Sequence, residues 1–202
     1  MSRDPIRIHC GAGTVYLKDY LNIDLKSSRC FLSNDRPDLV EKYITDEQHY
    51  YSRHDIGQND FLVGPKNDEY VCDAYGSFLN LPVKAKLASE LLARQSFEHL
   101  SITEARLALK EMNRVLDYGG VLRIDVPDHE ETLRKFVSTS NEFYIRHLLG
   151  PRNSDYGYHM MSYVKDGLIR LIEEYGFLYM MEERNIHCYP AMMLRFGKAS
   201  DV

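Results

Sequence analysis

The sequence has no apolar run that approaches the length of a membrane-spanning helix, and we therefore expect no membrane span. Its first residues, Met-Ser-Arg-Asp-Pro, lead straight into a strand-like segment without an apolar leader, so we expect a cytoplasmic protein. Internal repeats and low-complexity tracts are also missing. At 202 residues the chain is long enough for one well-buried domain and too short for two, which predicts a single domain over residues 1–202.

An excess of positive charge is missing as well. The 30 acidic residues outnumber the 25 basic ones, and the net charge of −5 gives no general attraction to phosphate backbones, which disfavours nucleic acid as a partner. The four cysteines never form the short pairs that bind zinc or carry out redox chemistry. They are Cys10, Cys30, Cys72 and Cys188. We therefore expect reduced, mostly buried thiols and no metal site.

Strand-like segments alternate with helical ones, which is typical of a parallel sheet covered by helices. Residues 5–9, 20–25, 70–74 and 86–93 are the first four predicted strands, and we expect them to lie side by side. Residues 121–126 form the fifth, and residues 177–182 and 191–196 are close enough in sequence to pair in antiparallel fashion. The predicted fold is α/β and Rossmann-like, with a doubly wound, mostly parallel seven-stranded sheet that ends in an antiparallel hairpin.

Helix ends are indicated by local motifs. Ser101 and Glu104 have the spacing of a capping box, which predicts a helix start there, and Gly119-Gly120 predicts a left-handed end for that helix. A second helix is expected from about residue 130 to 149. Ser162 and Gly176 bound a third predicted helix over residues 163–175.

An insertion separates the second and third predicted strands, where a single crossover helix would suffice. It covers about residues 26–69 and is too aromatic to be a flexible linker, so we expect it to fold against the body. Tyr50, Tyr51 and His54 are candidates for a lid over a bound substrate. The alternative is that these aromatic residues serve packing or the contact between two copies in a homodimer.

The first strand is followed by a glycine turn and, at the end of the second strand, by a carboxylate. Gly11 and Gly13 allow the backbone to bend sharply and to come close to a ligand, and Asp24 can accept hydrogen bonds from two ribose hydroxyls. Tyr16 stands where a dinucleotide-binding turn needs its third glycine, which makes NAD or FAD a poor fit. A ligand with adenine and ribose but no phosphates, of which S-adenosylmethionine is the common one, remains compatible.

Further motifs make the chain resemble the class I S-adenosylmethionine-dependent methyltransferases over nearly its whole length except the insertion. Cys10-Gly11-Ala12-Gly13 resembles the glycine motif of that family, and Asp73-Ala74, followed by Leu81-Pro82, resembles its adenine-edge motif. The order of the remaining motifs is the most specific part of the resemblance. They are Phe97-Glu98-His99-Leu100, Glu104-Ala105, Arg114-Val115-Leu116, Gly119-Gly120-Val121-Leu122 and Val126-Pro127-Asp128.

The resemblance implies methyl transfer from S-adenosylmethionine as cofactor to oxygen or nitrogen of a small-molecule acceptor, such as a sugar or another metabolite. We expect the cofactor to be bound by Cys10, Gly11, Ala12, Gly13, Asp24, Asp73, Ala74, Gln95 and Ser96. His99 and His159 are the candidate catalytic residues, because histidine exchanges protons near neutral pH. Plain backbone hydrogen bonding is the alternative role for His99.

Two residues at the end of the fourth predicted strand depart from the family pattern. Arg94 stands where a small residue is usual, and Gln95 where the family often has histidine. These departures keep two other functions open. One is a methyltransferase for nucleic acid or protein, which the acidic composition disfavours, and the other is a non-catalytic scaffold that binds S-adenosylmethionine.

Overall fold

The computed structural model describes residues 5–50, 69–150, 157–184, 186–187 and 189–202. Its strands are β1 (Ile6–Cys10), β2 (Tyr16–Leu17), β3 (Leu21–Asp24), β4 (Cys30–Leu32), β5 (Ile44–Thr45), β6 (Tyr70–Cys72), β7 (Ala74–Tyr75), β8 (Ala88–Arg94), β9 (Leu116–Pro127), β10 (Phe177–Glu183) and β11 (Ala191–Lys198). The helices are α1 (Pro37–Tyr43), α2 (Ile102–Val115), α3 (His129–Thr139), α4 (Glu142–Leu149) and α5 (Lys165–Glu173). A 3₁₀ helix spans Phe97–His99.

Seven strands form the main sheet in the order β10-β11-β9-β8-β1-β3-β7. Strands β9, β8, β1, β3 and β7 are parallel, whereas β11 pairs in antiparallel fashion with both β9 and β10. The predicted mostly parallel seven-stranded sheet with an antiparallel hairpin is thus confirmed. The carboxyl ends of the parallel strands share one edge, where the glycine turn follows β1, Asp24 ends β3 and Gln95 follows β8.

The third predicted strand, residues 70–74, is wrong in detail because it is divided between two sheets. Its first part is β6, which pairs with β4 of the insertion, and only the short β7 extends the main sheet beside β3. The insertion therefore supplies a partner strand that takes β6 away from the main sheet.

The core lies between the sheet and helices α2 and α5. Helix α2 buries Ala105, Ala108, Leu109, Met112 and Val115 completely, in line with the apolar spacing of its sequence. The capping box that begins it is confirmed, since Ser101 Oγ accepts from the Glu104 amide and the Glu104 carboxylate accepts from the Ser101 amide.

The predicted glycine end of this helix is wrong. Helix α2 stops at Val115, and Gly119-Gly120 lies within β9. The fully buried ammonium of Lys198 donates to the carbonyls of Asn113 at 2.7 Å and Leu116 at 2.9 Å. Carbonyls at the helix end are thus satisfied by a lysine from β11, and no glycine cap is needed.

The single helix predicted over residues 130–149 is also wrong, because two helices occupy that stretch. Ser140 adopts a left-handed conformation (φ 54°) after α3, and Asn141 Oδ1 accepts from the Phe143 amide to begin α4. The third predicted helix exists but begins later than expected, at Lys165 after Val164, so Ser162 is not its cap.

The described half of the insertion packs against the body as expected. Leu39 and Tyr43 of α1 are buried with Val71, and β5 pairs with β2. Tyr50 is 4% exposed, which places it in the interior, while Tyr51 and His54 lie outside the described residues. Cys10, Cys30 and Cys72 are buried free thiols, whereas Cys188 lies outside the described residues. None of the helices described is long and apolar enough to span a membrane.

Candidate functional site

The glycine turn after β1 crosses the end of β3. The amides of Gly11 and Ala12 both donate to the Ile23 carbonyl, at 3.0 and 3.4 Å. Gly11 has a φ of 73°, and a Cβ on it would lie 2.6 Å from Ser96 Cβ, so the turn and the residues after β8 are in close contact. Because a side chain would collide there, the predicted need for glycine at this position has a direct steric reason.

Asp24 lies where this turn meets the end of β3. Its Oδ2 accepts from the Gly13 amide at 2.6 Å and its Oδ1 accepts from the Leu25 amide at 2.7 Å. Burial raises the pKa of Asp24, and the two amide donors act in the opposite direction. A carboxylate has about four acceptor sites, so each oxygen keeps capacity for one further donor.

Asp73 has different surroundings. Its Oδ1 accepts from the hydroxyls of Tyr16 at 2.6 Å and Ser33 at 2.8 Å, and its Oδ2 accepts from the backbone and side-chain amides of Asn22 at 2.8 and 3.2 Å. These four bonds use the acceptor capacity of the carboxylate. The next residue, Ala74, lies beside Ile23 in the main sheet. An adenine amine would have to compete with protein donors for Asp73.

Arg94 and Gln95, the two departures from the family pattern, both contact the buried carboxylate of Asp125 on β9. Arg94 Nε lies 3.1 Å from Asp125 Oδ2, and Gln95 Nε2 donates to Asp125 Oδ1 at 3.0 Å. His187 Nε2 lies 2.8 Å from the same carboxylate. Gln95 is held with a φ of 49°. The sequence interpretation missed Asp125, because nothing local marks a strand residue as the partner of these side chains.

Ser96 connects this region to the glycine turn through a hydroxyl that donates to the Cys10 carbonyl at 3.4 Å. Cys10 is itself buried. The residues assigned to the cofactor from the sequence therefore surround the carboxyl ends of β1, β3 and β8, with Asp73 and Ala74 on the outer side of β3.

The two candidate catalytic histidines lie together, although 60 positions separate them in sequence. Their rings are 5.1 Å apart between centroids, and Glu98 lies between them. Its Oε1 is 4.0 Å from His99 Nε2 and 3.9 Å from His159 Nε2. Burial lowers the pKa of His99, and burial together with the neighbouring histidines lowers that of His159 to about 3, so both rings are neutral at pH 7.

Two further histidines surround this pair. The His129 ring lies 6.2 Å from the His159 ring and the His147 ring lies 6.0 Å from it. The sequence interpretation missed Glu98 as a site residue, and it missed His129 and His147 as rings that pack against His159. Glu98 stands next to His99 in a motif that resembles the family, but its burial beside His159 depends on how residues 157–161 pack.

Comparisons with known proteins agree with this architecture. No family model matches the chain, and no curated protein matches it. Among solved structures, a SAM-dependent methyltransferase from Methanosarcina mazei has a TM-score of 0.57 at 13% identity, covering 98% of this chain and 94% of its own. A SAM-dependent methyltransferase from Thermotoga maritima has a TM-score of 0.50 at 13% identity, covering 98% and 84%.

A third similar structure carries ligands. It is the 1,6-didemethyltoxoflavin-N1-methyltransferase of Burkholderia thailandensis with bound 1,6-didemethyltoxoflavin and S-adenosylhomocysteine. Its TM-score is 0.54 at 11% identity, with 98% of this chain and 72% of that chain covered. Identities this low establish the fold alone. From its strand order and these likenesses, the chain has the fold of the class I S-adenosylmethionine-dependent methyltransferases.

Proposed function

We propose that this protein is a methyltransferase that moves the methyl group of S-adenosylmethionine to oxygen or nitrogen of a small molecule. The fold supports the reaction class. The observation that carries the proposal is the position of Asp24 beside the glycine turn. Its carboxylate keeps acceptor capacity and lies next to Gly11 and Gly13, which both have a positive φ.

The chain's own residues fit an adenosine with a sulfonium tail. Asp24 keeps acceptor capacity on both oxygens for the ribose diol, and neither Gly11 nor Gly13 has a side chain to hold the ligand away. Cys10 and Ala12 belong to the same turn, and Ala74, Gln95 and Ser96 are the other proposed contacts. Asp73 remains a proposed contact of the adenine amine, although its carboxylate also accepts hydrogen bonds from Tyr16 and Asn22.

His99 and His159 belong to the acceptor side of the proposed site. S-adenosylmethionine supplies a methyl group on sulfur, and its transfer depends mainly on holding the reactants in line, with a base needed only where the acceptor carries a proton. Both rings are neutral and direct Nε2 toward Glu98. His99 is the more accessible, with 22% of its side chain exposed against 5% for His159.

Titration with S-adenosylhomocysteine tests the cofactor assignment. We expect one molecule bound per chain. For Asp24→Asn we expect a dissociation constant about 10- to 100-fold larger than that of wild type, because charge-assisted hydrogen bonds contribute about 1.5–3 kcal/mol each. Asp19→Asn is the matched control, since Asp19 is exposed and asparagine tolerates its φ of 66°. Equal affinity of Asp24→Asn and wild type contradicts the role of Asp24.

Turnover distinguishes the proposal from its alternatives. Release of S-adenosylhomocysteine on addition of a small-molecule acceptor supports the proposed function. Binding without turnover on any acceptor favours the non-catalytic scaffold, and turnover on nucleic acid or protein alone favours the other alternative. The net charge of −5 argues against nucleic acid.

A further inference from the structure

Glu98 is a buried carboxylate without the partners that such a group needs. Its side chain is 1% exposed, and no hydrogen-bond donor among the described residues reaches either of its oxygens. Burial raises its pKa well above the usual range. An uncompensated buried carboxylate is costly, so a group of this kind indicates a missing positive charge or a shared proton.

The surrounding atoms are of the type that binds metal ions. One oxygen of Glu98 and one ring nitrogen from each of His99 and His159 lie within 4.8 Å of one another. Bonds of about 2.0–2.2 Å at tetrahedral angles place zinc ligands about 3.4 Å apart, so the observed 3.9 and 4.0 Å separations need only a small contraction.

The backbone holds these three residues in position. The amides of Met160 and Met161 both donate to the Glu98 carbonyl, at 2.9 and 3.1 Å, which fixes the segment carrying His159 against the 3₁₀ helix. A Cβ on Gly150 would lie 2.8 Å from His159 Cδ2, so the end of α4 packs against the same ring. The ligand atoms therefore stand on segments joined by hydrogen bonds and close packing.

The tautomer of His99 suits a ligand. Its Nδ1 lies 2.8 Å from the Tyr158 carbonyl, which can only accept, so Nδ1 carries the hydrogen and Nε2 keeps its lone pair. Metal-bound histidines commonly donate their other nitrogen to a backbone carbonyl in this way. The Nε2 atom of His99 is the one that lies 4.0 Å from Glu98 Oε1.

His129 is excluded from the ligand set by the same reasoning. Its Nδ1 accepts from the Tyr163 amide at 3.0 Å, so the hydrogen of the neutral ring must be on Nε2. That ring can donate a hydrogen bond near His159 but has no lone pair left for a cation.

We propose that Glu98, His99 and His159 form a site for a first-row divalent metal ion such as Zn²⁺. Two imidazoles and one carboxylate favour these ions over Mg²⁺ or Ca²⁺, which prefer oxygen ligands. The assignment departs from the expectation drawn from the sequence, which considered only the spacing of cysteines. Three protein ligands leave a coordination position open, and, as a step that rests on the proposed function, we assign it to the oxygen or nitrogen of the methyl acceptor.

Metal titration of the full chain without a histidine tag tests the site. We expect wild-type protein to bind one Zn²⁺, and one Co²⁺ with the visible absorption of a four- or five-coordinate ion. Glu98→Gln and His159→Ala are expected to weaken binding about 100-fold or more, since each removes a ligand. Thermal unfolding of each variant without metal checks that it is folded, and the isosteric Glu98→Gln is the safer of the two.

Two controls define where the ion binds. His129→Asn keeps an acceptor for the Tyr163 amide, and His49→Ala removes an exposed histidine beside Asp46, so both are expected to bind metal within about 10-fold of wild type. Absence of one-to-one binding in wild type, retained binding in Glu98→Gln and His159→Ala, or equal loss in either control overturns the proposal. Binding of S-adenosylhomocysteine is measured separately, so failure of the metal site and failure of the cofactor site are distinguishable.

Discussion

The ends of β3 and β6 carry two aspartates that look alike in the sequence and differ in the structure. Asp24 accepts one amide on each oxygen and sits beside the glycine turn. Asp73 accepts four hydrogen bonds from the protein and belongs to a network that continues through Asn22 to His9 and Tyr50. A carboxylate with spare capacity can bind a ligand directly, whereas a saturated one stabilises the fold and binds a ligand only in competition with protein donors.

Among the variants that test this comparison, Asp73→Ala is expected to change the free energy of unfolding most. It leaves the fully buried Asn22 without an acceptor for its backbone amide, and Tyr16 and Ser33 without theirs, so we expect the free energy of unfolding to fall by about 4 kcal/mol. Urea denaturation measures it. Asp24→Asn is the contrasting variant: it removes a charge that burial opposes, but the amide of either Gly13 or Leu25 then faces an Nδ2 group that cannot accept, so we expect a loss of about 1 kcal/mol, well below that of Asp73→Ala. Equal losses in both variants would remove the distinction.

The second effect is the pH dependence of stability contributed by His9, a buried residue that contacts Asn22 of the Asp73 network. Burial lowers the pKa of His9 from 6.5 to about 4. Between pH 6.5 and 4 the unfolded chain therefore binds a proton at His9 that the folded chain does not. As the pH is lowered through this range, the free energy of unfolding decreases by about 3 kcal/mol from this residue. Unfolding curves at several pH values measure the slope.

His9→Gln is the variant that isolates this contribution. It removes the titrating ring at the position where His9 Nδ1 lies 3.0 Å from Asn22 Oδ1, so the dependence between pH 6.5 and 4 should become shallower although overall stability decreases. His49→Ala, which changes an exposed histidine, is expected to keep the wild-type slope. An unchanged slope in His9→Gln contradicts the assignment.

Smaller changes in stability are expected for alanine substitutions at Gly11 and Gly13, the two glycines of the turn beside Asp24. Gly11→Ala is expected to cost about 2–3 kcal/mol, because its φ is positive and the new Cβ would lie 2.6 Å from Ser96 Cβ. Gly13→Ala is expected to cost about 1 kcal/mol, since no heavy atom lies within 4 Å of that Cβ and only the φ of 54° opposes it. Chemical denaturation of both variants tests the difference. An equal cost at both positions would show that the contact with Ser96 is unimportant.

Local chemistry explains which elements were predictable. The Ser101 capping box is correct because both partners lie within one turn of the same helix. The end of α2 is wrong because Lys198, about 80 residues further along, takes up the terminal carbonyls. The break between α3 and α4 was missed because Ser140 is not glycine and its positive φ leaves no clear local signal.

The departures Arg94 and Gln95 show the same limit at the candidate site. In the sequence they are only unusual residues after a strand. In the structure both contact the carboxylate of Asp125, and the Arg94 guanidinium lies 4.5 Å from the ring centroid of Tyr50 in the insertion. An unusual residue and its compensating partner lie on different elements, so a motif comparison sees only one of them.

The sequence by itself determined a mostly parallel sheet that ends in an antiparallel hairpin, the glycine turn, the placement of Asp24 at a strand end and the resemblance to the class I methyltransferases. These depend on residues close in sequence and on the alternation of strands and helices. Only the tertiary structure decided that Asp73 is saturated and that Glu98, His99 and His159 meet. Hydrogen-bond capacity and burial depend on neighbours brought by chain folding, and no spacing in the sequence contains them.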